Sequence, residues 1–414
     1  MADVNTRPTS PTTLSPLKHR LFLAIWIGSL LANFGNAVQS VGAAWLLTEL
    51  HQSADVVALV QSAASLPIML LALPAGAFAD MHDRRRIMLT AQLAMLVISL
   101  LLAVLAGAHH AAPWMILTLT LALGGGVAFF NPALQASIGG IVPRAELAGA
   151  VALYILAFNV ARSLGPAIGG VIVAAGGSSA AFVVNAASYV AVILVLLLWR
   201  PAPGPARARE PIRHVIASGL RFVAGSRPVR TILLRAVTFT LSGSAAWALM
   251  PLVSRDLLHG GSIEFGLLLG ALGVGAVVGA ASSTYVRHRH SSEAIMRGAG
   301  IVYGLGCIAT AAQPGLWPTL ALLVVAGAGW VQALSGFSVA GQLWSPRAVV
   351  GRVTAIVSSV TFGGIALGSW LWGHVASSIG IGPAIAASGL MMVLLPLIGL
   401  WRPMPRHEDA PTSH

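Results

Sequence analysis

The chain has 414 residues, of which 57% are hydrophobic and only 9% charged, with a formal net charge of +12. A soluble domain carries about 25% charged residues to cover its surface, so the composition excludes a soluble fold and points to a chain that lies mostly in a bilayer. The basic balance is no nucleic-acid signature, because the arginines sit at the ends of apolar runs instead of forming one patch.

Residues 1–17 form a polar, Pro/Thr-rich tail without a cleavable signal pattern. The first span is therefore expected to direct insertion itself. Apolar runs then recur, each about the 20 residues that cross a bilayer. Twelve spans are predicted: 21–46, 56–79, 87–108, 113–138, 147–175, 179–199, 229–253, 264–285, 294–312, 316–344, 350–378 and 381–401. Strands of a β-barrel alternate in polarity over about ten residues, so these long, evenly apolar runs exclude one. A polar tail, 403–414, closes the chain.

Placing each Lys and Arg on the side that its span end implies puts 22 of 24 on the side of the two termini. One missed or invented span would scramble that pattern. The positive-inside bias thus sets both termini in the cytoplasm, with Arg255 outside and Arg162 within a span. The longest break, 201–228, separates a bundle at 18–200 from one at 229–402. Its second part places Ile212, Val215, Ile216, Leu220 and Val223 at helical spacing, with Arg213 and Arg221 off that stripe. This predicts an amphipathic helix on the membrane face; a plain tether is the other reading.

The two bundles repeat. At an offset of 203, Pro143-Arg144-Ala145 matches Pro346-Arg347-Ala348, while Leu164-Gly165 and Gly170 match Leu367-Gly368 and Gly373. At 202, Ala43-Ala44-Trp45 matches Ala245-Ala246-Trp247. Such halves give transporters a midplane site and a rocking mechanism.

One stretch, Gly76-Ala-Phe-Ala-Asp80-Met-His-Asp83-Arg84-Arg85-Arg86, packs acids and arginines into a turn between greasy runs. Gly76 is expected to let two helices approach closely. Asp80 suits the positive end of a helix, and the arginines suit acids or lipid phosphates. In the fifth span, Arg162 is an intramembrane charge, expensive unless it meets a cavity or a partner, and Asn159 lies one turn before it. No Asp or Glu lies deep in a predicted span, because Glu49, Asp55, Asp256 and Glu264 cluster at external ends. His374, the histidine expected to be buried in the membrane, is a second coupling candidate after Arg162.

Polar residues inside spans mark a cavity or interhelical hydrogen bonds. Asn33, Asn36 and Ser40 recur at helical spacing in the first span, with Gln39 adjacent, and Asn131 and Gln135 lie one turn apart in the fourth. The seventh offers Thr238, Ser242 and Trp247, and the tenth offers Gln332, Ser335 and Gln342, with Trp330 and Phe337 as aromatic walls. Cys307 is a single cysteine in an apolar span, so no intrachain disulfide forms.

With Phe130-Asn131-Pro132-Ala133, Asn159 to Pro166, and Asn185-Ala-Ala-Ser188-Tyr189, these motifs resemble the major facilitator superfamily. The likeness runs over roughly 18–402. The chain is most similar to the transmembrane secretion effectors, which include enterobactin-exporter-like and macrolide-efflux-like proteins. The resemblance implies an all-α integral membrane protein: twelve transmembrane helices in two pseudo-symmetric six-helix bundles. It implies that Gly76, Asp80, Arg84 and Arg85 form a cytoplasmic latch, with Met81 and Asp83 departing from the superfamily's loop pattern. The opposite anchor is expected near Arg347 and Arg352. It also implies that Gly165, Pro166, Gly169 and Gly170 end an antiporter signature, whose earlier glycines are Ala152 and Ala161 here. Spans 1, 4, 7 and 10 line the cavity in this superfamily.

The expectation is a monomeric secondary transporter in a bacterial inner membrane. It exports small amphiphilic molecules such as a siderophore, drug or metabolite by alternating access, driven by protons and without a cofactor. Uptake or facilitation of a small polar solute such as a sugar is the alternative, and a non-transporting sensor is a further one. No metal-spaced His/Cys cluster, nucleotide loop or nucleophile motif suggests an enzyme or an ATP-driven pump, and His109-His110 is a weak ligand pair.

Overall fold

The structure, a computed structural model, describes residues 14–200, 212–313, 315–346 and 349–405, apart from the side chains of Asp80 and Ile212. The described residues are helical, with no strand. Eleven helices among them are long and apolar enough to cross a membrane. One is anomalous, since Leu147–Leu198 has 52 residues, about 78 Å of helix at 1.5 Å per residue. The apolar thickness to be crossed is about 30 Å. At Gly177 the backbone turns to φ 70, ψ 178, a region that a Cβ makes costly and glycine adopts freely. The chain thus reverses there, between two spans, 147–176 and 178–198. This is the break that the sequence predicts between its fifth and sixth spans.

The twelve spans are α1 (Arg20–Glu49), α2 (Ala54–Met81), α3 (Arg84–Gly107), α4 (Pro113–Ile138), α5 (147–176) and α6 (178–198) in the first bundle. The second has α7 (Arg227–Leu252), α8 (Ser262–Arg289), α9 (Ser292–Ala311), α10 (Leu316–Leu343), α11 (Val350–Ile379) and α12 (Ile381–Trp401). Helix starts at the arginine-rich face carry their own caps. Asp83 accepts from the backbone N–H of Arg85 and Arg86 at the start of α3. Ser226 and Ser291 do the same for α7 and α9. Each cap satisfies donors that a helix cannot satisfy for itself.

Small residues set the packing, as expected where lipid is as apolar as any side chain and close approach replaces the hydrophobic drive. The repeat seen in the sequence reappears in what its glycines touch. Gly165 of α5 faces Ala37 and Phe34 of α1, and its counterpart Gly368 of α11 faces Leu241 and Ser244 of α7. Gly170 of α5 faces Ser262, Ile263 and Gly266 of α8. Its counterpart Gly373 faces Asp55 and Ala58 of α2. The counterparts Gly165 and Gly368 therefore each pack within their own bundle, and the counterparts Gly170 and Gly373 each pack across the junction. Equivalent positions do equivalent work in the two bundles.

Between the bundles, Ile212–Gly225 is a helix with Arg213 and Arg221 exposed. It is more than a tether. Gly219 is buried against Ile356 and Arg352 at the start of α11, and Arg352 donates from Nη1 to Ser218 Oγ at 2.7 Å. Both ends of the described chain are partly buried. Ser15–Lys18 forms a turn with Ser15 and Pro16 buried, and beyond α12 Met404 is buried and donates its N–H to Glu293 (2.8 Å). Cys307 is a buried side chain of α9.

Candidate functional site at the junction of the bundles

Two helix pairs join the bundles, α2 with α11 and α5 with α8. In the first, Ser62 donates to the Ala366 carbonyl at 2.7 Å. Near the face opposite the arginines, the Asp55 N–H donates to Ser377 Oγ, whose hydroxyl donates to Asp55 Oδ1, both at 3.0 Å. In the second, Ser262 donates to the Gly170 carbonyl (3.1 Å) and Ser163 to the Gly273 carbonyl (2.6 Å). A methyl group on Gly266 would stand 2.5 Å from the Pro166 carbonyl oxygen. At that opposite face Arg255 donates to the Thr48 carbonyl (2.8 Å) and Trp45 of α1 stacks on Phe265 of α8, centroids 6.1 Å apart. These contacts join the two bundles at that face.

Of the antiporter-like residues, Gly165 and Gly169 serve α1, with Val38 and Val41 packed against Gly169, while Pro166 and Gly170 serve α8. Pro166 has no N–H, so the Arg162 carbonyl one turn earlier has no helical donor at that position. Arg162 thus sits at a weakened turn in the middle of α5. Its guanidinium crosses to the second bundle and lies 4.6 Å over the Trp247 ring of α7. Among the described residues, the ring is its recorded partner, with no carboxylate or carbonyl accepting from it.

Behind Trp247 stands an aromatic cluster at mid-helix. Trp330 of α10 lies 6.3 Å from Trp247, 5.2 Å from Tyr303 of α9 and 5.4 Å from Phe239 of α7, whose ring is 5.9 Å from Phe337. Tyr303 donates to the Gly243 carbonyl at 2.6 Å. The sequence suggests Trp330 and Phe337 as cavity walls. Both are 1% exposed and belong to the packed interior, and Trp247 is the member that faces the junction.

Four of the eight other cavity candidates are engaged in holding helices together. Asn36 accepts from Tyr189, which joins Asn185, Gln39 and Ser99 in a buried network between α1, α3 and α6. Asn131 lies at 3.5 Å from the Tyr154 hydroxyl. Gln332 donates to the Gly279 carbonyl at 2.9 Å, and Ser335 accepts from Arg287 at 3.2 Å, tying α10 to α8. Ser40 bonds to the Ala37 carbonyl of its own helix. Gln135 is exposed, and Asn33 and Asn159 are half-buried. The structure therefore brings Arg162 and Trp247 together and leaves the polar candidates dispersed.

His374 does not occupy the interior. It is exposed, stacked on the exposed Trp370, on the α11 face away from Gly368 and Gly373.

The loop after α2 also differs from expectation. A Cβ on Gly76 meets nothing within 4 Å, so this glycine does not permit a close approach. The helix cap is Asp83, and the Asp80 side chain lies outside the described atoms. Arg84 donates to the Ala136 carbonyl near the end of α4, and Arg85 donates to the carbonyls of Leu196 (2.6 Å) and Leu197 (2.9 Å) at the end of α6. These arginines cover orphan carbonyls at helix C-termini, where the negative dipole end favours a cation. Arg347 lies outside the described residues, and Arg352 holds the linker helix.

A polar site that the sequence hid lies near the arginine-rich face of the second bundle. Arg235 of α7 is 4% exposed and pairs with Glu293 of α9 at 3.1 Å; Arg297 pairs with the same carboxylate at 3.0 Å.

A family model described as transmembrane secretion effector matches residues 11–414. The multidrug efflux pump Tap of Mycolicibacterium fortuitum is 28% identical over 94% of this chain and 97% of its own. The enterobactin exporter EntS of Citrobacter koseri is 28% identical over 67% of this chain and 69% of its own. Among solved structures, a bacterial homolog of the human lysosomal transporter Spinster covers 94% of this chain and 95% of its own, with TM-score 0.70 and 16% identity. The nucleoside transporter NupG covers 92% of this chain and 98% of its own, with TM-score 0.69 and 13% identity.

Proposed function

Because the chain belongs to the transmembrane secretion effector family of major facilitator transporters, we propose that it exports small amphiphilic molecules by alternating access, in exchange for protons. The observation that carries this reading is the junction itself. Two pairs of glycine-lined helices, related by the repeat, let one bundle rock against the other about a mid-membrane site. Efflux is favoured over uptake by relatives named as an efflux pump and a siderophore exporter. The arginine-rich face is the cytoplasmic one by the positive-inside bias. On this reading the protein works as a monomer in a bacterial inner membrane with both termini inside.

In the same reading, the loop after α2 acts at two levels. Arg84 and Arg85 clamp the ends of α4 and α6, so the first bundle moves as a unit. Asp80 is the residue through which that face engages the second bundle in the outward-facing state. The Asp80→Asn variant is expected to shift cysteine-accessibility labelling toward the inward-facing state, and unchanged labelling would reduce the loop to a topology signal. The test of transport is efflux from proteoliposomes loaded with candidate cargo. Efflux is expected to rise with a pH gradient, and gradient-independent efflux would sink the proton coupling while leaving export in place.

A further inference from the structure

Resting on the reading of this chain as an exporter, we propose that the junction site selects organic anions, aryl carboxylates in particular, and rejects cations. Arg162 would be the anchor for the anionic group, with the aryl group against Trp247.

Three observations converge. The first is the unsatisfied guanidinium. A guanidinium has five donors and holds its charge at any working pH, yet the recorded partner of Arg162 is the face of Trp247 at 4.6 Å. A cation over a ring is a weaker and less directional partner than the two parallel N–H···O bonds that a carboxylate offers the same fork. The contact holds Arg162 in place and yields to a carboxylate.

The second is an orphan donor beside it. The indole Nε1 of Trp247, the aromatic residue that faces the junction, is buried without an acceptor. Indole nitrogen donates and cannot accept, so the lining has a donor to spare. A ligand that completes it must bring oxygen acceptors, as a carboxylate or phenolate does.

The third is the charge of the whole interior. The acids of the described spans lie near helix ends: Glu49, Asp55, Asp80, Glu264 and Glu293. The other deeply buried arginine, Arg235, is offset by Glu293 at 3.1 Å. Arg162 therefore leaves the mid-membrane junction with an uncompensated positive charge. In low dielectric that charge repels a cationic drug and attracts an anion far more strongly than in water.

A matched set of probes tests this on the full chain in detergent, by equilibrium binding of 1-naphthaleneacetate, 1-naphthaleneacetamide and tetraphenylphosphonium. The first two share shape and differ in charge. The carboxylate is expected to bind about tenfold more tightly than the amide, with the phosphonium weakest. In Arg162→Gln the carboxylate is expected to lose that advantage while amide affinity and melting temperature stay unchanged. In Arg162→Lys part of the advantage is expected to remain. Equal binding of carboxylate and amide, no carboxylate binding, or tighter binding of the phosphonium would each overturn the proposal. So would loss of amide and carboxylate together in a folded Arg162→Gln protein. Binding is measured without transport, so failure here leaves the efflux assay to judge export separately.

Discussion

Glu293 occupies the second position of α9, where the helix dipole welcomes an acid and where a sequence reader assigns it to a solvated end. The fold instead gives it two arginines and the Met404 N–H. Arg235 comes from another helix, 58 residues away in sequence, and no periodicity announces such a pair. Removing one partner strands a buried charge, which costs about 3–5 kcal/mol, whereas replacing both with apolar groups is often neutral. Glu293→Leu alone, which strands Arg235, is thus expected to lower the melting temperature of the detergent-solubilised protein by several degrees, and Arg235→Met alone, which leaves Glu293 with Arg297, by less. The double variant is expected to recover most of the loss. Additive losses would show that the pair is not a unit. By contrast, Arg162 stands out in the sequence as a candidate, because a charge inside an apolar run admits few explanations. The outward orientation of His374 is hidden for a related reason. In a helix apolar on every face, sequence does not tell which face turns to a neighbour and which to lipid.

At the scale of elements, the break between α5 and α6 rests on one residue. Gly177 adopts φ 70, ψ 178 with open space where a Cβ would stand. A substitution there is opposed by backbone conformation alone, at about 1–3 kcal/mol. Gly177→Ala is expected to destabilise the protein by that amount in thermal unfolding. Gly76→Ala, also in open space but inside regular helix, is expected to stabilise it by about 0.5–1 kcal/mol. Equal effects at the two sites would refute the assignment of Gly177 to a strained corner. The spans themselves were readable because hydrophobic length and arginine placement answer to the bilayer, a solvent with a fixed thickness. The repeat was readable because glycines at both inter-bundle contacts survive at one offset: Gly170 on α8 and Gly373 on α2. The buried network of Gln39, Ser99, Asn185 and Tyr189 escaped notice, since its members lie on three helices and each taken alone passes for a packing residue.

For the molecule as a whole, an anionic cargo changes the energetics of export. A cell membrane that is negative inside drives an anion outward with about 2.3 kcal/mol per charge per 100 mV. That corresponds to roughly a fiftyfold concentration ratio, since each 1.4 kcal/mol is about tenfold. An inward proton exchanged for an outward anion adds a second charge in the same electrical direction, so potential and pH gradient act together. A cation exporter faces the reverse, because potential opposes its cargo and proton exchange must overcome it. Under the proposed anion selectivity, argued from the charge of Arg162 and the acids near helix ends, this chain belongs to the first case. In proteoliposomes with potential clamped by potassium and valinomycin, an inside-negative potential is expected to speed efflux of naphthaleneacetate. Exchange of the neutral amide for a proton moves one charge per cycle against two for the carboxylate, so the same potential should speed amide efflux less, and a pH gradient should move both. Efflux of the carboxylate that ignores potential would mean that its charge is neutralised in transit. Arg162 would then be serving the packing of α5 against the second bundle and not the cargo.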